Sequence, residues 1–141
     1  MKRLVIDASV VVKWLLPQGD ESHTDEALSL LHAFREGEVE LLQPPHWLAE
    51  AGAVLARLEP ALAATTMQLL DAMKIPVHNA PEIHIRGIEL ATELNHHLFD
   101  TLYHAVALSV PDTTLVTADL RYFRKAKRFG AICALSDAGR I

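Results

Sequence analysis

The chain has a single cysteine, Cys133, among its 141 residues. That leaves no pair for a disulfide framework and no cysteine-based zinc site. Aromatic residues make up only 6 %, so the core has to be aliphatic, and its abundant Leu and Ala favour helices. No apolar run approaches the ~18 residues that a membrane span needs. The opening Met1-Lys2-Arg3 leads straight into Leu4-Val5-Ile6. That stretch is too short for a signal peptide and no small-residue cleavage site follows it. The expected location is cytoplasmic, with no membrane partner. Repeats, linkers and low-complexity segments are lacking as well, so residues 1–141 read as one globular domain. Positive charge is also in short supply: 13 Lys and Arg against 18 Asp and Glu give a net charge of −5. The sum weighs against a nucleic-acid partner. Its distribution does not, because five of the 13 cations fall together at Arg121, Arg124, Lys125, Lys127 and Arg128. Phosphate contacts depend on local potential, so this stretch is either a solvated helix face or a phosphate-binding one.

Short apolar runs alternate with helical patterns. Leu4-Val5-Ile6 reads as a buried strand ending at Asp7. Ser9 is a plausible N-cap for a helix from Val10 to Leu16, stopped by Pro17. The polar loop Gln18–Glu21 follows. Ser22 is placed to cap the next helix, with Asp25 three residues on. That helix carries Ala27, Leu28, Leu31 and Phe34 and ends at Gly37. Glu40 to Gln43 is a second short strand. Pro44-Pro45 opens a helix whose core stripe is Trp47, Leu48, Ala51, Leu55 and Leu58. Pro60 breaks it, and another helix spans Ala61 to about Met73. Ile75-Pro76-Val77 reads as a short strand, its proline suited to an edge. Ala80-Pro81 begins a helix with Ile85, Ile88, Ala91 and Leu94 or Leu98 as its buried face. A new helix starts near Asp100, and Pro111-Asp112 is a turn. Thr114–Thr117 is a strand, then comes a basic helical stretch to about Lys127, and Ala131 to Leu135 is the last strand. This alternation implies an α/β fold: a central parallel sheet with helices on both faces.

Ligands of open parallel sheets bind beyond the C-terminal ends of the strands. Asp7 ends the first strand and Asp119 lies two residues past a later one, although each could equally be a helix cap. Glu50 lies on a largely apolar helix face, so it either flanks the buried stripe or is paired. Asp100 is again a cap or a site residue. Four carboxylates converging in a cleft would stay ionised only beside cations. Hard divalent ions, Mg²⁺ or Mn²⁺, suit an all-oxygen site, and such a site suits phosphodiester hydrolysis. Spacing alone does not establish that they converge.

Four segments together carry a resemblance. They are "LVIDASVVVKWLLPQGDE" (residues 4–21), "PHWLAEAGAVL" (45–55), "LFDTLYHAVAL" (98–108) and "LVTADLRYFRKA" (115–126). In this order the chain resembles PIN-domain ribonucleases, and among them the VapC-type toxins of toxin–antitoxin pairs, over essentially its whole length. The resemblance implies a PIN-like three-layer fold and a metal-dependent endoribonuclease in which Asp7, Glu50, Asp100 and Asp119 hold Mg²⁺ or Mn²⁺. It implies that the Ser9 and Thr117 hydroxyls support those carboxylates by hydrogen bonds. RNA as substrate, a homodimer and a cognate antitoxin protein are further implications. The pattern departs at Ala53, where many relatives carry Asn, and at Gln18, where they often carry Glu. Neither change removes an implied metal ligand, and both bear on substrate preference.

Other features have two readings. Asp100 and His104 stand four residues apart on one helix face, a spacing open to a transition metal, but no third ligand is placed by pattern. His96-His97 is an adjacent pair. Arg121 follows Asp119 closely and is the first candidate for contact with substrate. Lys13 faces either the cleft or solvent. Trp14 and Trp47 lie in helical stripes and read as core or dimer contacts. Two other functions compete. An aspartyl phosphatase-like domain also has Asp after its first strand, but it wants a second Asp two residues on, where Ser9 stands. A PIN-fold RNA- or protein-binding module with a decayed site would not need all four acids.

Overall fold

The computed structural model describes residues 1–16 and 22–140. The stop at Pro17 and the loop containing Gln18 lie outside the described residues. The chain runs β1 (Lys2–Ile6), α1 (Ala8–Leu15), α2 (Thr24–Arg35), β2 (Val39–Leu41), α3 (Trp47–Leu58), α4 (Ala63–Ala72), α5 (Pro81–Leu94), α6 (Leu98–Ser109), β3 (Thr113–Thr117), α7 (Leu120–Ala126) and β4 (Ile132–Ala134). Short 3-10 turns at Lys127–Phe129 and Leu135–Arg140 flank β4. The four strands form one all-parallel sheet in the order β2-β1-β3-β4. This is the three-layer α/β architecture that the alternation implied. The central strands carry Leu4, Val5, Ile6, Leu115 and Val116, all essentially without exposure, because a parallel sheet is covered on both faces. Helix α6 lies across β1 and β3 with α5 along it, while α1 meets β3 and packs on α2 and α3.

The register of the two central strands decides where the site forms. Ile6 pairs with Val116, so the strands end level and Asp7 emerges beside Thr117. A buried side chain extends the ladder on the other side of β1. Gln43 accepts from the Ile6 N–H and donates to the Ile6 carbonyl, both at 2.8 Å.

Several local expectations change. The cap of α1 is Asp7 rather than Ser9, and its carboxylate accepts from the Ser9 N–H. Helix α2 starts at Thr24 behind His23, which pairs with Glu26, so Ser22 sits one residue too far out to cap it. Ile75–Val77 makes only a single parallel bridge, Val77 to Gln43, because Pro76 has no N–H to give a ladder. Leu58, placed in the stripe of α3, is exposed where that helix ends. The largest change is in α5. Ile85 and Ile88 are 60 % and 53 % exposed, and the buried face is Ile83, Gly87, Leu90 and Leu94. Gly87 is the reason. A Cβ there would stand 2.9 Å from Leu102 and 3.2 Å from Leu98, so its bare backbone lets α5 close onto α6.

Candidate metal centre at the C-terminal edge of the sheet

Asp7 leaves β1 at the end of the sheet and is buried. Its Oδ1 accepts from the Ser9 hydroxyl at 2.5 Å and its Oδ2 from the Thr117 hydroxyl at 2.5 Å. Both hydroxyls are themselves fixed by backbone donors of the turn after β3: Ala118 N–H donates to Ser9 and Asp119 N–H to Thr117. Burial pushes the Asp7 carboxyl up to about 6 against these hydrogen bonds, and the charges of Asp100 and Asp119 add to the rise. Three acids therefore face one another across the ends of β1 and β3.

Asp119 caps α7 with one oxygen, Oδ1, which accepts from the Tyr122 N–H at 3.1 Å. Capping and a place at the site are thus compatible, since Oδ2 is not used by the cap. Asp100 is not a cap. His97 takes that role, accepting from the Phe99 N–H, and Asp100 stands in the first turn of α6. His96 Nε2 lies 3.0 Å from Asp100 Oδ2. One ligand atom each from His96, Asp100 and Asp119 lie within 4.8 Å of one another.

Glu50 lies outside that three-residue cluster and is linked to the acids through Tyr103. The Tyr103 hydroxyl donates to Glu50 Oε1 at 2.6 Å. Burial and then the charges of Glu50, Asp7 and Asp100 hold it far above the ordinary phenol range, so it stays a donor. The ring of His46 packs on Tyr103 with centroids 4.8 Å apart, and its Nε2 lies 3.6 Å from the same Glu50 oxygen. The apolar face of α3 thus carries a paired glutamate.

His104 does not share a metal face with Asp100. It is fully buried. Its Nε2 must donate to the Gly130 carbonyl at 2.8 Å, so its Nδ1 accepts from the Tyr122 hydroxyl at 2.9 Å. Burial holds its pKa below the usual histidine value, and the ring is a neutral spacer under the site. Arg121 is exposed two residues beyond Asp119, whereas Lys13 is buried at 6 % exposure. Trp14 donates its indole N–H to the Ala27 carbonyl at 2.7 Å, tying α1 to α2, and Trp47 is core.

The PIN domain family matches residues 4–128, most of the chain. The chain belongs to the PIN-domain family. PIN domains are generally nucleases and typically use a divalent metal. No curated protein matches the chain significantly. The donor set of this PIN domain fits a hard divalent cation: carboxylate oxygens predominate, and Asp7 is buried beside the like charges of Asp100 and Asp119. Among the described residues no helix is long and apolar enough to cross a membrane.

Sequence reasoning singled out Asp7 and Asp119 because each closely follows a strand, and Glu50 because it is a carboxylate on a largely apolar helix face. It missed Tyr103 and gave His96 no role. Tyr103 lies three residues after Asp100, a spacing that shares a helix face, and this was the available signal. His96 stands four residues before Asp100, and that spacing was its one local signal; its contacts with Lys125 and Tyr122 come from α7.

Proposed function

We propose that this PIN domain is a metal-dependent endoribonuclease that hydrolyses RNA phosphodiester bonds, and that it acts as the toxin of a toxin–antitoxin pair. The observation that carries the nuclease reading is the convergence of Asp7, Asp100 and Asp119 where β1 and β3 end level. In this reading Asp7, Asp100, Asp119 and Glu50 hold Mg²⁺ or Mn²⁺, with Glu50 either a ligand or the group that orients the attacking water. An ion held there would supply Lewis-acid polarisation of the phosphodiester and a lowered pKa for water. Ser9 and Thr117 donate to Asp7 and fix its orientation, Tyr103 does the same for Glu50, and Arg121 contacts an RNA phosphate. The likeness of the four segments to VapC-type toxins supports the toxin role, and with it a homodimer and a cognate antitoxin.

The test is cleavage of total cellular RNA by the purified protein and by Asp100→Asn, each with Mg²⁺, Mn²⁺ or EDTA. Discrete fragments from the wild type alone, lost in EDTA, are the expected result. Identical patterns from both proteins would remove Asp100 from the chemistry. Neither cleavage nor metal binding would favour an RNA- or protein-binding module.

A further inference from the structure

We propose that His96 is a positioning residue for Asp100, locked in its donor form by Lys125, and not itself a ligand of the cation. The inference rests on the reading above that Asp100 and Asp119 hold a divalent ion. Lys125 Nζ lies 3.2 Å from His96 Nδ1 and 3.2 Å from the Asn95 carbonyl. An ammonium group has donors only, so Nδ1 accepts. A neutral imidazole that accepts at Nδ1 carries its proton on Nε2, and Nε2 faces Asp100 Oδ2 at 3.0 Å. The hydrogen bonds therefore run one way, from Lys125 to His96 to Asp100. A protonated ring nitrogen has no lone pair for a metal, even though it lies within reach of both carboxylates.

The ring has little freedom to change this. It stands edge-on to Tyr122 with centroids 4.8 Å apart, and its side chain is 11 % exposed against 44 % for Asp100. One oxygen of Asp100 is thereby committed to His96, and the other is left for the cation. Lys125 also belongs to α7, the helix that Asp119 caps. Its bonds to Asn95 and His96 tie that helix to the loop before α6 and so set Asp100 against Asp119. Carboxylate ligands are commonly oriented in this way by hydrogen bonds from behind.

The experiment is Mn²⁺ binding to the full chain by titration calorimetry, with pulsed electron paramagnetic resonance of the bound ion, on wild type, His96→Leu, His96→Gln and Lys125→Met. The amide nitrogen of Gln lies as many bonds from Cα as Nε2 does and can donate to Asp100. The expected result is a loss of about tenfold to a hundredfold in affinity for His96→Leu. His96→Gln recovers to within a few-fold of wild type, Lys125→Met falls between, and the wild type shows no directly bound nitrogen. A nitrogen coupling in the wild type that disappears in both His96 variants would make His96 a ligand and overturn the proposal. Unchanged affinity in His96→Leu would overturn it too. A wild type that binds no Mn²⁺ would remove the metal reading and this inference with it. Should His96→Leu fail to fold, the ordering of His96→Gln and Lys125→Met and the wild-type spectrum decide.

Discussion

At the scale of single residues, Asp7 is where the needs of the fold and of the proposed chemistry conflict. Burial raises its carboxyl from the ordinary 3.8 to about 6. An acid that binds its proton more tightly when folded stabilises the fold below its ordinary pKa. That contribution is lost as pH rises through about 6. At neutral pH the ionised, metal-free site therefore costs stability, on the order of 1–3 kcal/mol. Asp7→Asn should accordingly melt several degrees above wild type in EDTA at pH 7.5, with the gap closing towards pH 4. Added Mn²⁺ should raise the wild type and leave the variant unmoved. His104 has the opposite dependence, because its lowered pKa makes stability fall as pH drops below the ordinary 6.5. It is the same in both proteins and cancels in the comparison. A variant less stable than wild type in EDTA at pH 7.5 would mean that the Ser9 and Thr117 hydrogen bonds outweigh the desolvation of the charge.

At the scale of elements, the packing of α5 on α6 holds Asp100 in place. Gly87 admits Leu102 and Leu98, and its carbonyl accepts from the Thr101 hydroxyl at 2.8 Å, next to Asp100. Gly87→Val overfills this contact and should cost about 1–3 kcal/mol. Thermal unfolding should show it, and calorimetry should show weaker Mn²⁺ binding as α6 shifts. Ile85→Ser, on the exposed face, should change stability by no more than about 0.5 kcal/mol. Equal effects of the two would place the packed face where the apolar pattern had put it. That pattern misled because a glycine contributes nothing to hydrophobic periodicity, so the true stripe through Gly87 was hidden and the isoleucines stood out. The strands were legible because a sheet covered on both faces needs runs such as Leu4-Val5-Ile6. Asp7 and Asp119 were legible because one directly follows β1 and the other stands two residues past β3. His96 was not, since Lys125 reaches it from 29 residues away and no periodicity encodes that meeting.

At the scale of the whole molecule, a chain of charge −5 has to attract a polyanion if the proposed function holds. The order β2-β1-β3-β4 resolves the conflict by geometry. It brings the ends of β1 and β3 together, and α7, carrying exposed Arg121 and Arg124, departs from that same edge. Solution ions screen exposed charges beyond about 8 Å at physiological ionic strength, so acids elsewhere on the surface count for little at this edge. Each phosphate contact on a single strand contributes about 0.7 to the slope of log affinity against log salt. Arg121→Ala should therefore lower that slope by about 0.7 for a single-stranded RNA bound to Asp100→Asn, which binds without cutting. In the active enzyme the same substitution should raise KM several-fold and leave kcat nearly unchanged, because Arg121 holds the strand and takes no part in the chemistry. A fall in kcat with the slope unaltered would place Arg121 at the reacting phosphate instead. A slope insensitive to both Arg121 and Arg124 would make the basic helix face a solvated surface and move the RNA path to another side of the acids.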